Sequence, residues 1–239
     1  MKIASLPYRR DGRPVVVSPD LAWYADADHI VPTLQSVLDD WERHALLLET
    51  LSTELEHEAI PRRRFHEREA CAPLPRAYRR TSEGHDLPGD DLAAGRSALE
   101  GPCGASTVEL CVVTGEVEKG ADAQAARAAV RLVGFAHDCG ADALSPVFAT
   151  PEVLEREGLA LSVELNGQIV ARVPLGVPDF GALVAGLAAE RRLGPGSIVG
   201  SGPLAEVPAL KAGDTVRIEL RDPRGKSLLG AIERTVRAG

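Results

Sequence analysis

The sequence predicts an α+β protein, with a small N-terminal α+β part followed by a β-rich remainder. Three observations lead there. Residues 1–31 alternate short apolar runs with the turn signals Asp11-Gly12 and Ser18-Pro19-Asp20, and a stretch with helical apolar spacing follows. Thr107 to Gly115 is the most clearly β-branched run in the chain. From Ser145 onward short apolar runs alternate with turns, among them Asn166-Gly167, whose tolerance of positive φ at both positions marks a tight hairpin.

Taken in order, residues 1–31 form a small antiparallel meander. Leu34, Leu38, Trp41, Ala45, Leu48 and Leu55 then recur at steps of four and three, which predicts one long helix packed on that meander. Pro32 suits its first turn, where a missing N–H costs nothing. Residues 58–106 read as linker and loop: Arg62-Arg63-Arg64, Pro73-Leu74-Pro75, and a polar, glycine-rich passage from Arg79 to Ala105.

In the strand that follows, Thr107, Glu109, Cys111 and Val113 share one face, and Val108, Leu110 and Val112 share the other. Asp122 caps a short helix through Ala125, Ala126, Ala129 and Val130, and Leu132–Ala136 returns as a buried strand ending at His137-Asp138. Past the hairpin, Asp179-Phe180 opens a helix that runs to Arg191 and leads to Ser197-Ile198-Val199-Gly200-Ser201-Gly202. The last strands, Thr215–Leu220 and Leu228–Val236, flank the turn Asp222-Pro223-Arg224-Gly225.

With Lys+Arg 27 against Asp+Glu 35, and no basic half, the chain is a poor partner for nucleic acid or an anionic membrane. No run approaches the roughly 18 apolar residues of a membrane span, so a cytoplasmic protein is expected. Cys71, Cys103, Cys111 and Cys139 lack the close spacing of zinc or redox motifs and are expected as free thiols, with a Cys111–Cys139 contact open if their strands are neighbours.

Several pieces together resemble the fumarylacetoacetate hydrolase family, in a shortened bacterial form. They are the opening Met1-Lys2-Ile3-Ala4-Ser5-Leu6 with Asp11-Gly12-Arg13 and Val15-Val16-Val17-Ser18, the entry Ala72-Pro73-Leu74-Pro75-Arg76-Ala77-Tyr78, the Glu109 strand with its continuation to Asp138, and the C-terminal run from Gly213 to Val236. The resemblance implies a small N-terminal α+β domain over residues 1–70 followed by a mixed β-sandwich roll of that family's type over residues 71–239. It also implies a hard cation, Mg²⁺ or Ca²⁺, held by several carboxylates, two of them in a Glu-x-Glu, and gripping a 2-oxo or 1,3-dicarbonyl acid.

Mapped residue by residue, the first Glu of that pair is Thr107 and the second is Glu109. Asp138 matches the last metal-ligating aspartate, Ser82 falls near an upstream aspartate, and His85-Asp86 stands near a general-base histidine segment. The family's lysine clamp is absent from the short crossing Cys139-Gly140-Ala141-Asp142-Ala143-Leu144, and Pro203 replaces the threonine expected after Gly200-Ser201-Gly202. The expected site therefore has Glu109, Asp138, His137 and His85 as catalytic candidates and Glu109 and Asp138 as weak or vestigial metal ligands. Thr107, Gly200, Ser201 and Gly202 remain as substrate contacts. Glu109 and Asp138 are expected to share a proton or to be neutralised by a basic side chain such as Arg172 or Arg217.

These departures imply no strongly bound cofactor. The expected function is a metal-independent isomerisation, cyclisation or decarboxylation of a small carbonyl-containing acid. The alternative is a non-catalytic subunit beside an intact paralogue, and an active C–C bond hydrolase ranks below both. Either way a homodimer, or a heterodimer with a family member, is expected.

Overall fold

The computed structural model describes residues 1–82, 85–87, 89, 92–139 and 142–238. The chain opens with β1 (Lys2–Leu6), β2 (Arg13–Val17) and β3 (Trp23–Asp26), then α1 (Leu34–Asp39), α2 (Trp41–Glu56) and β4 (Arg63–Arg64). Next come β5 (Arg79–Ser82), β6 (His85–Leu87), β7 (Leu99–Glu100), β8 (Ser106–Thr114), α3 (Ala123–Ala128), β9 (Val130–Asp138), β10 (Ala143–Leu144) and β11 (Val147–Ala149). The remainder is β12 (Ala160–Leu165), β13 (Gln168–Pro174), α4 (Phe180–Glu190), β14 (Ser197–Gly200), β15 (Ala205–Val207), β16 (Thr215–Arg221) and β17 (Ser227–Arg237).

One large sheet runs β4-β3-β2-β1-β11-β9-β8-β14-β5-β6, with β10 on β9 and β15 on β8; a smaller sheet runs β13-β12-β16-β17-β7. The expected meander is β1-β2-β3, and β1 pairs antiparallel with β11, so hydrogen bonds carry the sheet across the 70/71 division. No described helix is long and apolar enough to cross a membrane.

The central strands are covered on both faces. Val108, Leu110 and Val112 of β8, with Val133 and Phe135 of β9, pack in one core with the smaller sheet and α4, through Leu161, Ile218, Leu220 and Val184. Cys111, Val113, Leu132 and Ala136 pack in another with Leu34, Leu38, Leu48 and Leu55 of the helices. The alternation read along Thr107–Gly115 thus assigns each residue to its layer. Gly134 makes room within the large sheet, since a Cβ there would lie 2.1 Å from the ring of Phe148 on the neighbouring strand β11.

Local chemistry explains most boundaries. Asp122 and Asp179 accept the N–H groups of Ala125 and Ala182 at 2.8 and 3.0 Å, capping α3 and α4. Asn166 and Gly167 both take positive φ in the β12–β13 hairpin.

Three expectations need correction. The single long helix is broken at Asp40, whose φ of −139° leaves the helical region, and it starts one residue after its N-cap Thr33 with Pro32 outside. The stretch read as pure loop contains β5, which lies parallel to β14 in the large sheet. Its Arg79-Arg80-Thr81-Ser82 sequence has no apolar alternation, so pairing and counter-charges supply what periodicity does not. Finally, Cys103 is bonded to Cys139, leaving Cys71 and the buried Cys111 as the free cysteines; Cys111 faces the helix side of β8 and does not meet Cys139.

Candidate active site

Antiparallel pairing places Thr107 opposite Asp138, Val108 opposite His137, and Glu109 opposite Ala136. Directly opposed residues share a face, so Thr107, Glu109 and Asp138 lie together while His137 points to the other side. On the next strands Gly200 stands opposite Cys111, and Ile198 opposite Arg80 of β5. Arg80, Ser82, Gly200 and Glu109 therefore share a face across the neighbouring strands β5, β14 and β8.

Gly200 is the gap through which the outer strand reaches β8. A Cβ there would lie 2.2 Å from Glu109 Oε2. With that space free, the Arg80 guanidinium ion-pairs with Glu109 Oε1. Ser82 Oγ donates to Oε2 at 2.6 Å and the Gly202 N–H donates to it at 3.0 Å. Arg80 Nε bonds Asp142 Oδ2 at 3.2 Å. Arg80 is 0% exposed and Glu109 6%, so this pair is sealed from water.

The electrostatics follow. Burial pulls Arg80 down, but the charges of Glu109 and Asp142 outweigh it and hold the guanidinium above its ordinary pKa. Burial raises the Asp142 carboxyl, against the pull of Arg80 and with further upward pressure from Asp138 and Glu109. The Cys111 thiol, buried beneath, is pushed up to about 12 by desolvation and stays protonated.

Of the other sequence candidates, Asp138 is exposed at the end of β9. His85 is exposed on β6 and stands opposite Ser82, one strand beyond the donor to Glu109. Its neighbour Asp86 accepts from Thr81 Oγ1 at 3.2 Å and from Arg191 Nη2 at 2.6 Å. Ser201 ties its loop to β8, since its N–H bonds the Leu110 carbonyl at 2.9 Å and its hydroxyl accepts the Leu110 N–H at 3.2 Å.

His137 is fully buried, with Nε2 3.0 Å from Ser106 Oγ, and desolvation followed by the Arg234 charge lowers its pKa to about 4. The sheet separates it from Glu109 and Asp138. Of the short crossing after Asp138, Gly140 and Ala141 lie outside the described residues.

Sequence reasoning missed Arg80 and Asp142. It offered Arg172 or Arg217 as the neutralising cation, but Arg217 pairs with Glu219 and Glu233. A cavity of about 470 Å³ lies behind the site, on the opposite face of β5 and β14, lined by Thr81, Leu183, Leu187, Arg191, Val199 and Ser201. It is separate from the carboxylates.

The arrangement does not fit a hard divalent cation. Both oxygens of Glu109 are bonded to donors, Thr107 brings no charge, and Ser82 is itself one of those donors. Among the described residues no cluster of three or more His, Cys, Asp or Glu side chains could hold a metal ion.

Solved structures share the fold. Maleylpyruvate hydrolase from Sphingobium sp. SYK-6 aligns over 100% of both chains at 17% identity with a TM-score of 0.78, and the same enzyme has been solved with manganese(II) and pyruvate. Fumarylacetoacetate hydrolase from Exiguobacterium antarcticum aligns over 100% of both chains at 13% identity and TM-score 0.73. 5-Carboxymethyl-2-hydroxymuconate delta-isomerase from Mycobacterium smegmatis aligns over 99% of both at 19% and 0.66. Comparison of the sequence with curated proteins found no match. A family model described as fumarylacetoacetase N-terminal domain 2 matches residues 1–76, and one described as fumarylacetoacetate (FAA) hydrolase C-terminal matches residues 108–237. That second match spans more than half of the sequence and contains the Glu109–Asp138 face, and on it the chain belongs to the fumarylacetoacetate hydrolase family.

Proposed function

We propose that this family member catalyses an isomerisation, cyclisation or decarboxylation of a small 2-oxo or 1,3-dicarbonyl acid through an enol, without a divalent cation. The observation that supports this reading is the carboxyl pair above the buried arginine: Asp138 exposed opposite Thr107, and the half-buried Asp142 bonded to Arg80. In the proposed step the Asp138 carboxylate takes a proton from the carbon next to the carbonyl. The C–H electron pair becomes the C=C bond, and the carbonyl oxygen takes up the charge. Asp142 keeps its bond to Arg80 throughout. Protonated Asp138 then returns its proton to the same or a conjugated carbon, and the charge on the oxygen collapses back into the C=O bond. Glu109, held by three donors, positions Arg80 and moves no proton.

Deuterium exchange tests this without knowledge of the natural substrate. The protein, treated with a chelator, is incubated in D₂O with acetopyruvate or oxaloacetate and followed by proton NMR. Loss of the α-proton signal faster than in buffer, abolished by Asp138→Asn, is expected.

A second reading is favoured by the sealing of Glu109, the carboxylate that the resemblance assigns to chemistry. In it the chain is a non-catalytic subunit of an intact family member. Exchange no faster than buffer, together with co-purification as a heterodimer, would establish it in place of the first.

A further inference from the structure

We propose that Arg80 is the resident cation of this site: its guanidinium, fixed between Glu109 and Asp142, replaces a divalent ion and keeps divalent ions out. This deepens the cation-independent reading, yet its test needs no substrate, so the two can fail separately.

Four features support the assignment. The guanidinium bonds the carboxylate on β8 that the family resemblance gives to the metal, and reaches a second carboxylate on the crossing after β9. It is fully buried, so its charge is neither screened nor free to swing away. A carboxylate offers roughly four lone-pair sites. On Glu109, Arg80, Ser82 and the Gly202 N–H already take three of them. Lastly, the absence of a side chain at Gly200 leaves room for the Glu109 carboxylate to meet an arginine on β5, since a Cβ there would lie 2.2 Å from Oε2.

A metal ion entering here would have to break the ion pair and then sit beside an uncompensated buried positive charge. The missing glutamate at Thr107 is therefore a lesser obstacle than the arginine. Arginine stays charged at any working pH, so the replacement is permanent.

Manganese(II) is the probe, because the electron paramagnetic resonance signal of the free aqueous ion disappears when it binds. Wild-type protein is expected to leave the signal unchanged. Arg80→Ala, which frees Glu109 Oε1 and Asp142 Oδ2 and opens space between them, is expected to bind about one ion per chain, at least about tenfold more tightly than wild type. Glu109→Gln in that background is expected to abolish the uptake.

Thr107→Glu guards against an Arg80→Ala protein that does not fold. It adds a carboxylate to the same face at a partly exposed position, with Arg80 still in place, and is expected to remain unable to bind manganese. Wild-type binding that is lost in Glu109→Gln overturns the proposal. So does uptake by Thr107→Glu, or a folded Arg80→Ala protein that binds no better than wild type.

Discussion

Gly200 and Glu109 approach so closely that position 200 has no room for a β-carbon, which would stand 2.2 Å from Oε2. Because the carboxylate is pinned from several sides, it cannot swing aside cheaply as a free glutamate end would. Gly200→Ala should cost about 1–3 kcal/mol, as overpacking does. In a Glu109→Ser background the same change should cost little. Urea unfolding of the four proteins checks this, and an unchanged midpoint for Gly200→Ala alone would refute the close approach.

The Arg80–Glu109 pair is sealed, so removing Arg80 strands the Glu109 charge and removing Glu109 leaves Arg80 with Asp142 alone. Arg80→Met and Glu109→Gln should each destabilise by about 3–5 kcal/mol, and the double variant by clearly less than their sum. A double-mutant cycle from denaturant unfolding measures the coupling. Losses that add within a few tenths would mean that the pair is not coupled.

His137 makes the fold acid-sensitive. Its folded pKa of about 4 lies below the ordinary histidine value of 6.5, so between these values the unfolded chain binds the extra proton. The contribution is fully present above about pH 6.5 and is lost as pH falls through 4, amounting to on the order of 3 kcal/mol. His137→Gln cannot titrate and still offers Ser106 a polar partner. Its stability should therefore fall less steeply than wild type across that window, and parallel slopes would show that His137 does not carry the effect.

The sequence made legible whatever depends on neighbours along the chain. The faces of β8 follow from its alternation, the β12–β13 turn from Asn166-Gly167, and the starts of α3 and α4 from Asp122 and Asp179. The centre of the site depends on residues far apart. Arg80 meets Glu109 across a separation of 29 residues and Asp142 across 62, and nothing local in Arg79-Arg80-Thr81-Ser82 distinguishes it from a solvated basic loop. Likewise no spacing rule pairs Cys103 with Cys139, which the ends of strands bring together. The Thr107–Asp138 ladder was readable as a shared face, while the cation beneath it was not.

The pairing of β1 with β11, in which Lys2 stands opposite Ala149, sets a timetable for synthesis. At roughly 5–20 residues per second, the ribosome delivers β11 about 7 to 28 seconds after β1 has emerged. During that interval the β1-β2-β3 meander has an open edge carrying the apolar Ile3 and Ala4. Such an edge invites pairing with another nascent chain. Slowing translation between Arg13 and Val147 should therefore lower soluble yield, while slowing it after Ala149 should not.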